Sequence, residues 1–200
     1  MRVAIANDSR ASAEALRRVL AASGEHELAW IARTGEDAVA LCASDPPDLV
    51  LMDLNMPGID GVEATREIMR RSPCAILVVT ASPQDHVGHV FRALGAGALD
   101  VTATPVLLGR PGGSRGLLDK IATIGKLIGK GTRRARPPAA EPSTGVSRLL
   151  AIGASTGGPL AISTLLSGWQ PADDTAVIVV QHIDAAFANQ FVGWLATQIE

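Results

Sequence analysis

Five short apolar runs alternate with helical patterns in the first two thirds of the chain, and this alternation restricts the fold more than any other feature. The runs lie near residues 3–6, 28–32, 49–52, 75–79 and 98–102. The segments between them repeat apolar residues at helical spacing, as in Ala15, Leu16, Val19 and Leu20, and a last helix repeats Leu117, Ile121, Ile124 and Ile128. Strands that alternate with helices are typical of a parallel sheet covered on both faces. The sequence therefore predicts a doubly wound, five-stranded α/β domain.

Polar side chains follow three of these apolar runs. Asp8 comes after the first run, Asp53 directly after the third and Thr80 directly after the fourth. Because parallel strands end at the same edge of a sheet, we expect these groups to lie close together. Two carboxylates suit Mg²⁺, with one of them attacking a phosphoryl group whose charge the metal neutralises. The competing interpretation is that the aspartates only cap turns, which requires three strand ends to coincide by accident.

A second chemical signal lies in the last quarter of the chain. Ser155 is part of Gly-Ala-Ser-Thr-Gly-Gly and follows the apolar run 149–152, so a strand delivers a hydroxyl onto a glycine-rich turn. This segment fits Gly-x-Ser-x-Gly, in which small residues allow a sharp turn and leave main-chain N–H groups free for an oxyanion. His182 follows the next apolar run, 176–180. We therefore expect a nucleophile and its base at one sheet edge.

Other interpretations of the same residues fit less well. A phosphate-binding loop needs Lys after its last glycine, where this chain has Pro159, and the dinucleotide fingerprint needs glycine where this chain has Ser155. A histidine alone is more often structural, but the pairing with Ser155 favours catalysis.

The carboxylate that would orient the imidazole is harder to find. Asp173 and Asp174 precede the second strand, at the end away from His182, and Asp184 is too close in sequence to reach the far ring nitrogen. We therefore expect the acid to lie beyond Glu200.

Periodicity stops between residues 129 and 147, where Pro, Ala, Glu, Ser, Thr and Arg predominate. Such a composition cannot bury a core and is typical of a linker. The predicted organisation is a first domain at residues 1–128, a linker at 129–147, and the amino-terminal part of a second α/β domain at 148–200. About 50 residues are too few for a complete catalytic domain, so we expect that domain to be incomplete here and the 200-residue chain itself to be inactive.

Composition favours a cytoplasmic regulator. The chain has 47% hydrophobic and 19% charged residues and a net charge of −2, which does not suggest a nucleic-acid surface. Met1 leads straight into a strand without a signal-peptide pattern, and no apolar stretch is long enough to cross a bilayer. We therefore expect no nucleic-acid partner and no direct membrane insertion.

With these residues in view, positions 1 to about 128 resemble a response-regulator receiver domain. The resemblance implies that Asp53 is the phosphoacceptor, that Asp8, Asp53 and the backbone carbonyl of Asn55 hold Mg²⁺, and that the Thr80 hydroxyl contacts the phosphoryl group. Three positions depart from the usual pattern: Asn7 replaces an acid, Val101 an aromatic residue, and Thr104 the Lys before Pro. Losing that Lys removes a cation that pairs with phosphate.

A receiver, a linker and then Ala-Ile-Gly-Ala-Ser-Thr-Gly-Gly-Pro with Val-Val-Gln-His together resemble the CheB-type chemotaxis methylesterases, and most closely their WspF-like branch. The resemblance implies a Rossmann-like esterase domain without a cofactor, with Ser155 as nucleophile, His182 as base and a later Asp. It also implies hydrolysis of glutamate methyl esters and deamidation of glutamines on methyl-accepting chemoreceptors, with a sensor histidine kinase as phosphodonor. The alternative is a non-enzymatic receiver module with an incomplete hydrolase domain.

Overall fold

The computed structural model describes residues 1–81, 87–105, 113–129, 148–183 and 187–199. Its strands are β1 Arg2–Ala6, β2 Glu27–Ala32, β3 Leu49–Met52, β4 Ala75–Thr80, β5 Asp100–Ala103, β6 Arg148–Ala154 and β7 Thr175–Gln181. Its helices are α1 Arg10–Ser23, α2 Gly35–Ser44, α3 Gly61–Arg71, α4 Val87–Gly95, α5 Gly113–Gly129, α6 Gly158–Leu166 and α7 Ala188–Ala196. None of the helices in these ranges is long and apolar enough to span a bilayer.

The first domain is built on a parallel sheet in the order β2-β1-β3-β4-β5. Its central strands are buried on both faces, which explains why they read as continuous apolar runs. Alternate residues such as Ile5, Leu51 and Leu77 pack with α1 and α5, while Ala4, Val50 and Ile76 face the cluster formed with α2, α3 and α4. The predicted doubly wound, five-stranded α/β fold is therefore confirmed, with the strand order 2-1-3-4-5 of flavodoxin-like domains.

The predicted apolar stripe of the last helix of this domain needs one correction. Leu117, Ile121 and Ile124 are fully buried in α5, as their spacing indicates, but Ile128 is 47% exposed. Ile128 is the penultimate residue of the helix, beyond the sheet face that covers the preceding turns. Residues 130–147, which make up almost all of the predicted linker, lie outside the described residues.

The second unit begins with two parallel strands, β6 and β7, whose register pairs Arg148 with Thr175 and Ala154 with Gln181. Val177 and Val179 alternate with more exposed residues along β7, because one face of this sheet packs on helices and the other is not covered by any residue that the structure describes. On the uncovered face and around it, large apolar side chains are exposed, among them Leu149, Ile178 and Val180. This pair of strands is the start of a second α/β domain.

Candidate functional site

The carboxyl edge of the first sheet carries a cluster of polar groups at the point between β1 and β3 where the strand order reverses. Asp53 follows β3, and its N–H donates to the carbonyl of Ala6 at 2.9 Å, so it lies beside the end of β1. Asn7 and Asp8 continue β1 at this edge, with Asn7 buried and Asp8 exposed. Crevices at such reversal points are where open α/β sheets bind ligands.

Asn7 takes a defined part in this cluster. Its side-chain amide donates to Asp53 Oδ2 at 3.0 Å, and its amide oxygen accepts from the N–H of Ser9 at 2.9 Å. The N–H of Asn55 approaches the other carboxylate oxygen, Oδ1, at 3.3 Å. Asn7 therefore orients Asp53 at a position where the resemblance led us to expect another acid.

The donor set at this edge fits a magnesium ion that keeps part of its water shell. Within the described ranges, no group of three or more His, Cys, Asp or Glu side chains is arranged to hold a metal. The expected ligands are the carboxylates of Asp8 and Asp53 and the backbone carbonyl of Asn55. Mg²⁺ is commonly held by one or two carboxylates, several waters and phosphate oxygens, so a fully protein-made cage is not required.

The loop after Asp53 approaches the helix that follows it very closely. A Cβ atom on Gly61 would lie 2.0 Å from the carbonyl oxygen of Asp53, so only glycine fits at the start of α3. Asp60 caps this helix by accepting from the N–H of Glu63 at 2.8 Å. These contacts fix the backbone from which the Asp53 carboxylate projects.

Thr80 and Thr104 lie at the other side of this edge. Thr80 ends β4 and is 1% exposed, and the N–H of Thr104 donates to its carbonyl at 2.9 Å. The structure therefore sets Thr104 beside Thr80, directly after the end of the neighbouring strand β5. Val101 lies within β5 and pairs with Val78 of β4.

The second sheet presents Ser155 and His182 at one edge. Ser155 follows β6, His182 follows β7, and the N–H of His182 donates to the carbonyl of Ala154 at 2.8 Å. The turn after Ser155 passes through Gly157, whose φ of 77° is in the left-handed region that favours glycine. Pro159 then stands in the first turn of α6, where its missing N–H costs no hydrogen bond.

The structure brings the two side chains into contact: Ser155 Oγ lies 3.2 Å from His182 Nδ1. A base must face the hydroxyl with an unprotonated nitrogen, so this arrangement requires the ring proton to be on Nε2. No carboxylate of the described residues hydrogen-bonds to the ring. Asp174 lies at the opposite end of β7, near Arg148 at 4.0 Å, and Asp184 lies outside the described residues.

One expectation for the glycine turn has to be corrected. The N–H groups of Gly157 and Gly158 are not free: Gly157 donates to the carbonyl of Leu99 at 2.6 Å, and Gly158 donates to the carbonyl of Ser155 at 2.7 Å. The first of these bonds comes from the first domain. The carbonyl of Leu99 in the first domain therefore accepts a hydrogen bond from an N–H group that the sequence suggested for binding an oxyanion.

Asp100 makes a second bond between the domains beside the Ser155 turn. Its Oδ2 accepts from the Thr156 hydroxyl at 3.1 Å, and its Oδ1 accepts from Lys120 Nζ at 2.6 Å. Ser155 and His182 face a cleft of about 840 Å³, which is also lined by Leu99 and Asp100. The first domain therefore forms one wall of the cleft that contains the Ser–His pair.

An aromatic cluster joins the same two domains. Phe91 of α4 stacks on Trp194 with ring centroids 5.7 Å apart, meets Phe187 edge-on at 6.4 Å, and lies 6.0 Å from Phe191. Phe91 is only 2% exposed because these three rings cover it. A Cβ atom on Gly95 would come within 3.2 Å of Trp194, so glycine lets α4 and α7 approach.

The sequence patterns did not point to Asp100, Thr156, Gln181 or the aromatic cluster. A signal was available for the cluster, because Phe187, Phe191 and Trp194 have the helical spacing of a single stripe. The partner of that stripe could not be read from the sequence, because Phe91 lies almost 100 residues earlier in the chain.

Comparison with known proteins matches both parts of the chain. The family model described as the response regulator receiver domain matches residues 3–107, and the CheB methylesterase model matches residues 150–200. A solved structure, the response regulator domain of Thermotoga maritima CheB, covers 66% of this chain and 98% of its own, with a TM-score of 0.57 and 22% identity. At that identity, the likeness supports the fold alone.

Two curated relatives extend the similarity across almost the whole chain. The Pseudomonas fluorescens (strain Pf0-1) protein-glutamate methylesterase/protein-glutamine glutaminase 1 is 49% identical and covers 98% of this chain. The protein-glutamate methylesterase/protein-glutamine glutaminase 3 of Pseudomonas aeruginosa is 46% identical and covers 99% of this chain. The chain spans 60% of the length of each of these relatives.

These matches do not distinguish the WspF-like branch, which stays a prediction. The chain belongs to the CheB-type response regulators, in which a receiver domain precedes a methylesterase domain.

Proposed function

We propose that this protein is a signalling hydrolase that removes methyl groups from glutamate methyl esters of methyl-accepting chemoreceptors and deamidates their glutamines. The observation that carries the proposal is the 3.2 Å contact between Ser155 Oγ and His182 Nδ1, within a segment that matches the CheB methylesterase model. The names of the curated relatives support the substrate class. A cytoplasmic location follows from this proposal, because the ester would be on the cytoplasmic helices of the receptor.

The chemistry requires a serine nucleophile and one proton carrier. Ser155 Oγ attacks the ester carbonyl while His182 Nδ1 takes the hydroxyl proton, and collapse of the tetrahedral intermediate returns that proton to the departing methoxide as methanol. His182 then takes a proton from water, whose oxygen attacks the acyl carbonyl; the bond to Ser155 Oγ breaks, His182 returns the proton to that oxygen, and a glutamate carboxylate is released. On a glutamine, the same sequence releases ammonia in the first half. No cofactor is needed for these steps.

We further propose that a sensor histidine kinase phosphorylates Asp53. The Asp53 carboxylate attacks the phosphorus of the kinase phosphohistidine, and the imidazole leaves. Asp8, Asp53 and the Asn55 carbonyl would hold Mg²⁺, which neutralises charge on the phosphoryl oxygens when it is bound. The Thr80 hydroxyl would contact the phosphoryl group once it has been transferred. The hydrogen bond from Asn7 to Asp53 supports this proposal because it orients the carboxylate.

Phosphorylation would control access to Ser155 through the contacts between the domains. Leu99 and Asp100 of the receiver bond to the turn after Ser155, and both residues line the cleft that substrate would have to enter. A shift of β5 or α4 on phosphorylation would therefore alter the wall of that cleft.

The test of the proposed hydrolysis is methanol release. A protein that continues the reading frame past Glu200 is incubated with receptor carrying radiolabelled methyl esters, and volatile methanol is measured. Release above a receptor-only blank supports the hydrolase. An absence of release together with retained binding to a partner would instead favour the non-enzymatic module, and an immediate stop codon after Glu200 would favour it as well.

Replacing Phe91 with Ala is expected to loosen the contact between the domains. Each aromatic pair contributes about 0.5–1.5 kcal/mol beyond its buried area, and Phe91 makes three such pairs. Because about 1.4 kcal/mol corresponds to a factor of ten, the Gly157 amide, which donates to Leu99, should exchange with deuterium at least about tenfold faster. Leu127→Ala, at an exposed position of α5, is the control. Unchanged exchange in Phe91→Ala would show that the cluster does not hold the domains together.

Replacing Thr104 with Lys is expected to strengthen the response of the receiver to phosphorylation. An ammonium beside Thr80 gains a phosphoryl partner only in the activated state, so it stabilises that state selectively. Beryllofluoride mimics the phosphoryl group, and it should cause larger changes in amide chemical shifts in Thr104→Lys than in the parent protein. Thr164→Lys, on exposed α6 surface, controls for added charge. Equal responses in Thr104→Lys and the parent would mean that another group already pairs with the phosphoryl oxygens.

A further inference from the structure

The side chain of Gln181, the last residue of β7, links the two halves of the proposed catalytic pair. Its amide nitrogen donates to the carbonyl of Ser155 at 2.9 Å and to the carbonyl of His182 at 3.1 Å. Both neighbours are acceptors, so the donor end of the amide has to face them and the orientation of the side chain is fixed. One amide group thus bridges the turn after β6 and the backbone after β7.

The turn after Ser155 is shaped to admit this side chain. A Cβ atom on Gly158 would lie 2.0 Å from Gln181 Oε1 and 2.9 Å from the Cβ of Ala154. The second glycine of the Gly157-Gly158 pair therefore leaves the space that the Gln181 amide occupies, whereas the first has a positive φ, which favours glycine. The position of Gln181 thus accounts for Gly158, and the backbone conformation of the turn accounts for Gly157.

Gln181 holds this position at a cost. Its Oε1 is buried and has no hydrogen-bond partner within the described part of the chain, which is unfavourable for an amide oxygen. The Gln181 side chain is not needed to pair β6 with β7 at this end, because the hydrogen bond from the N–H of His182 to the carbonyl of Ala154 already continues the pairing of the two strands. The two bonds of the amide nitrogen are thus what the side chain contributes at this edge.

Ser155 and His182 need such a restraint, since both residues are exposed and little packing surrounds them. We propose that Gln181 is a positioning residue that sets the distance between Ser155 Oγ and His182 Nδ1 by tying their backbones together. Its role in catalysis rests on the proposed hydrolase function, but the restraint itself is a property of these 200 residues and can be measured without activity.

The test uses the ¹⁵N signals of the histidine rings in the 200-residue chain. The chain has four histidines, and His182→Ala identifies the signal of His182. In the parent, Ser155→Ala removes the hydroxyl that faces Nδ1 and should shift the Nδ1 resonance. In Gln181→Leu, the Ser155 hydroxyl is no longer held against Nδ1. Adding Ser155→Ala to this variant should therefore change the Nδ1 resonance by less than about half as much as it does in the parent, which is the comparison of a double-mutant cycle.

Two further variants keep the test decisive if Gln181→Leu does not fold. Gln181→Glu is nearly isosteric but offers no donor to the two carbonyls, and Gly158→Ala forces the side chain of Gln181 to move. Both should reduce the Ser155-dependent shift as Gln181→Leu does. Gln170→Leu, at an exposed position before β7, should leave the shift unchanged. Retention of the full shift in folded Gln181→Leu or Gln181→Glu would overturn the proposal.

In a protein that continues past Glu200, the same change should act on turnover. A misplacement of about 1 Å can cost about a hundredfold in rate, so Gln181→Leu should lower kcat roughly 10- to 100-fold with little change in KM. If KM rises by the same factor as kcat falls, the effect indicates a general structural role of Gln181 and counts against the proposal that it positions the catalytic pair. If the parent protein releases no methanol at all, the hydrolase proposal fails while the ¹⁵N result still decides the role of Gln181.

Discussion

Asp53→Asn is expected to abolish phosphorylation of this protein completely. Incubation of the parent chain with acetyl phosphate and Mg²⁺ should add one phosphoryl group, seen by intact-mass analysis. Asp53 accepts a hydrogen bond from the side-chain amide of Asn7, which orients it, and Asp8, Asn55 and Thr80 lie at the same sheet edge. An amide in its place cannot form the acyl phosphate, so the added mass should disappear rather than decrease.

The control for this experiment lies at the other end of the same strand. Asp48 precedes β3, and its carboxylate accepts from the N–H of Arg2 at 2.7 Å, at the opposite end of the strand from Asp53. Asp48→Asn should therefore be phosphorylated like the parent. Asp8→Asn should slow the reaction without removing the acceptor, because we propose that Asp8 holds Mg²⁺ and does not itself accept the phosphoryl group. A phosphoryl group that persists in Asp53→Asn would refute the assignment of the acceptor.

The architecture of the first domain could be predicted because its strands are buried on both faces. Such strands read as continuous apolar runs. Because they are parallel, one can infer that Asp8, Asp53 and Thr80 lie at one edge of the sheet without knowing any contact between side chains. The strand ends differ from the predicted ones by only one or two residues, as for β5, which begins at Asp100. The exposure of Ile128 was not predictable from spacing, because periodicity does not show where the sheet beneath a helix ends.

Contacts between the domains could not be predicted, since they depend on how two separately folded units meet. The chain has three phenylalanines, and all of them lie in the cluster around Phe91. Their scarcity was visible in the sequence, but their convergence was not. The bond from Gly157 to Leu99 is a main-chain contact and leaves no side-chain signature at either residue. This is why the glycine turn was expected to have free donors.

The largest effect on hydrolysis is expected from Ser155→Ala and His182→Ala. In a protein that continues past Glu200, each should reduce methanol release from methylated receptor by on the order of a thousandfold or more, to background. In the proposed mechanism, Ser155 would supply the atom that forms the acyl-enzyme, and His182 Nδ1, which lies 3.2 Å from Ser155 Oγ, would take its proton. Because the two act as one unit, the double variant should be no worse than either single variant. Circular dichroism checks that all variants are folded.

The 200 residues alone are expected to release no methanol even with both side chains present. Ser155 Oγ and His182 Nδ1 are in contact, but no carboxylate in the described ranges bonds to the ring to hold its tautomer and stabilise its charged form. The pair also stands on a sheet of two strands with Ile178 and Val180 exposed, and two strands alone are marginally stable. Receptor demethylation at full rate by the longer Ser155→Ala protein would refute Ser155 as nucleophile. Robust turnover by the 200-residue chain would show that the expected acid beyond Glu200 is not needed.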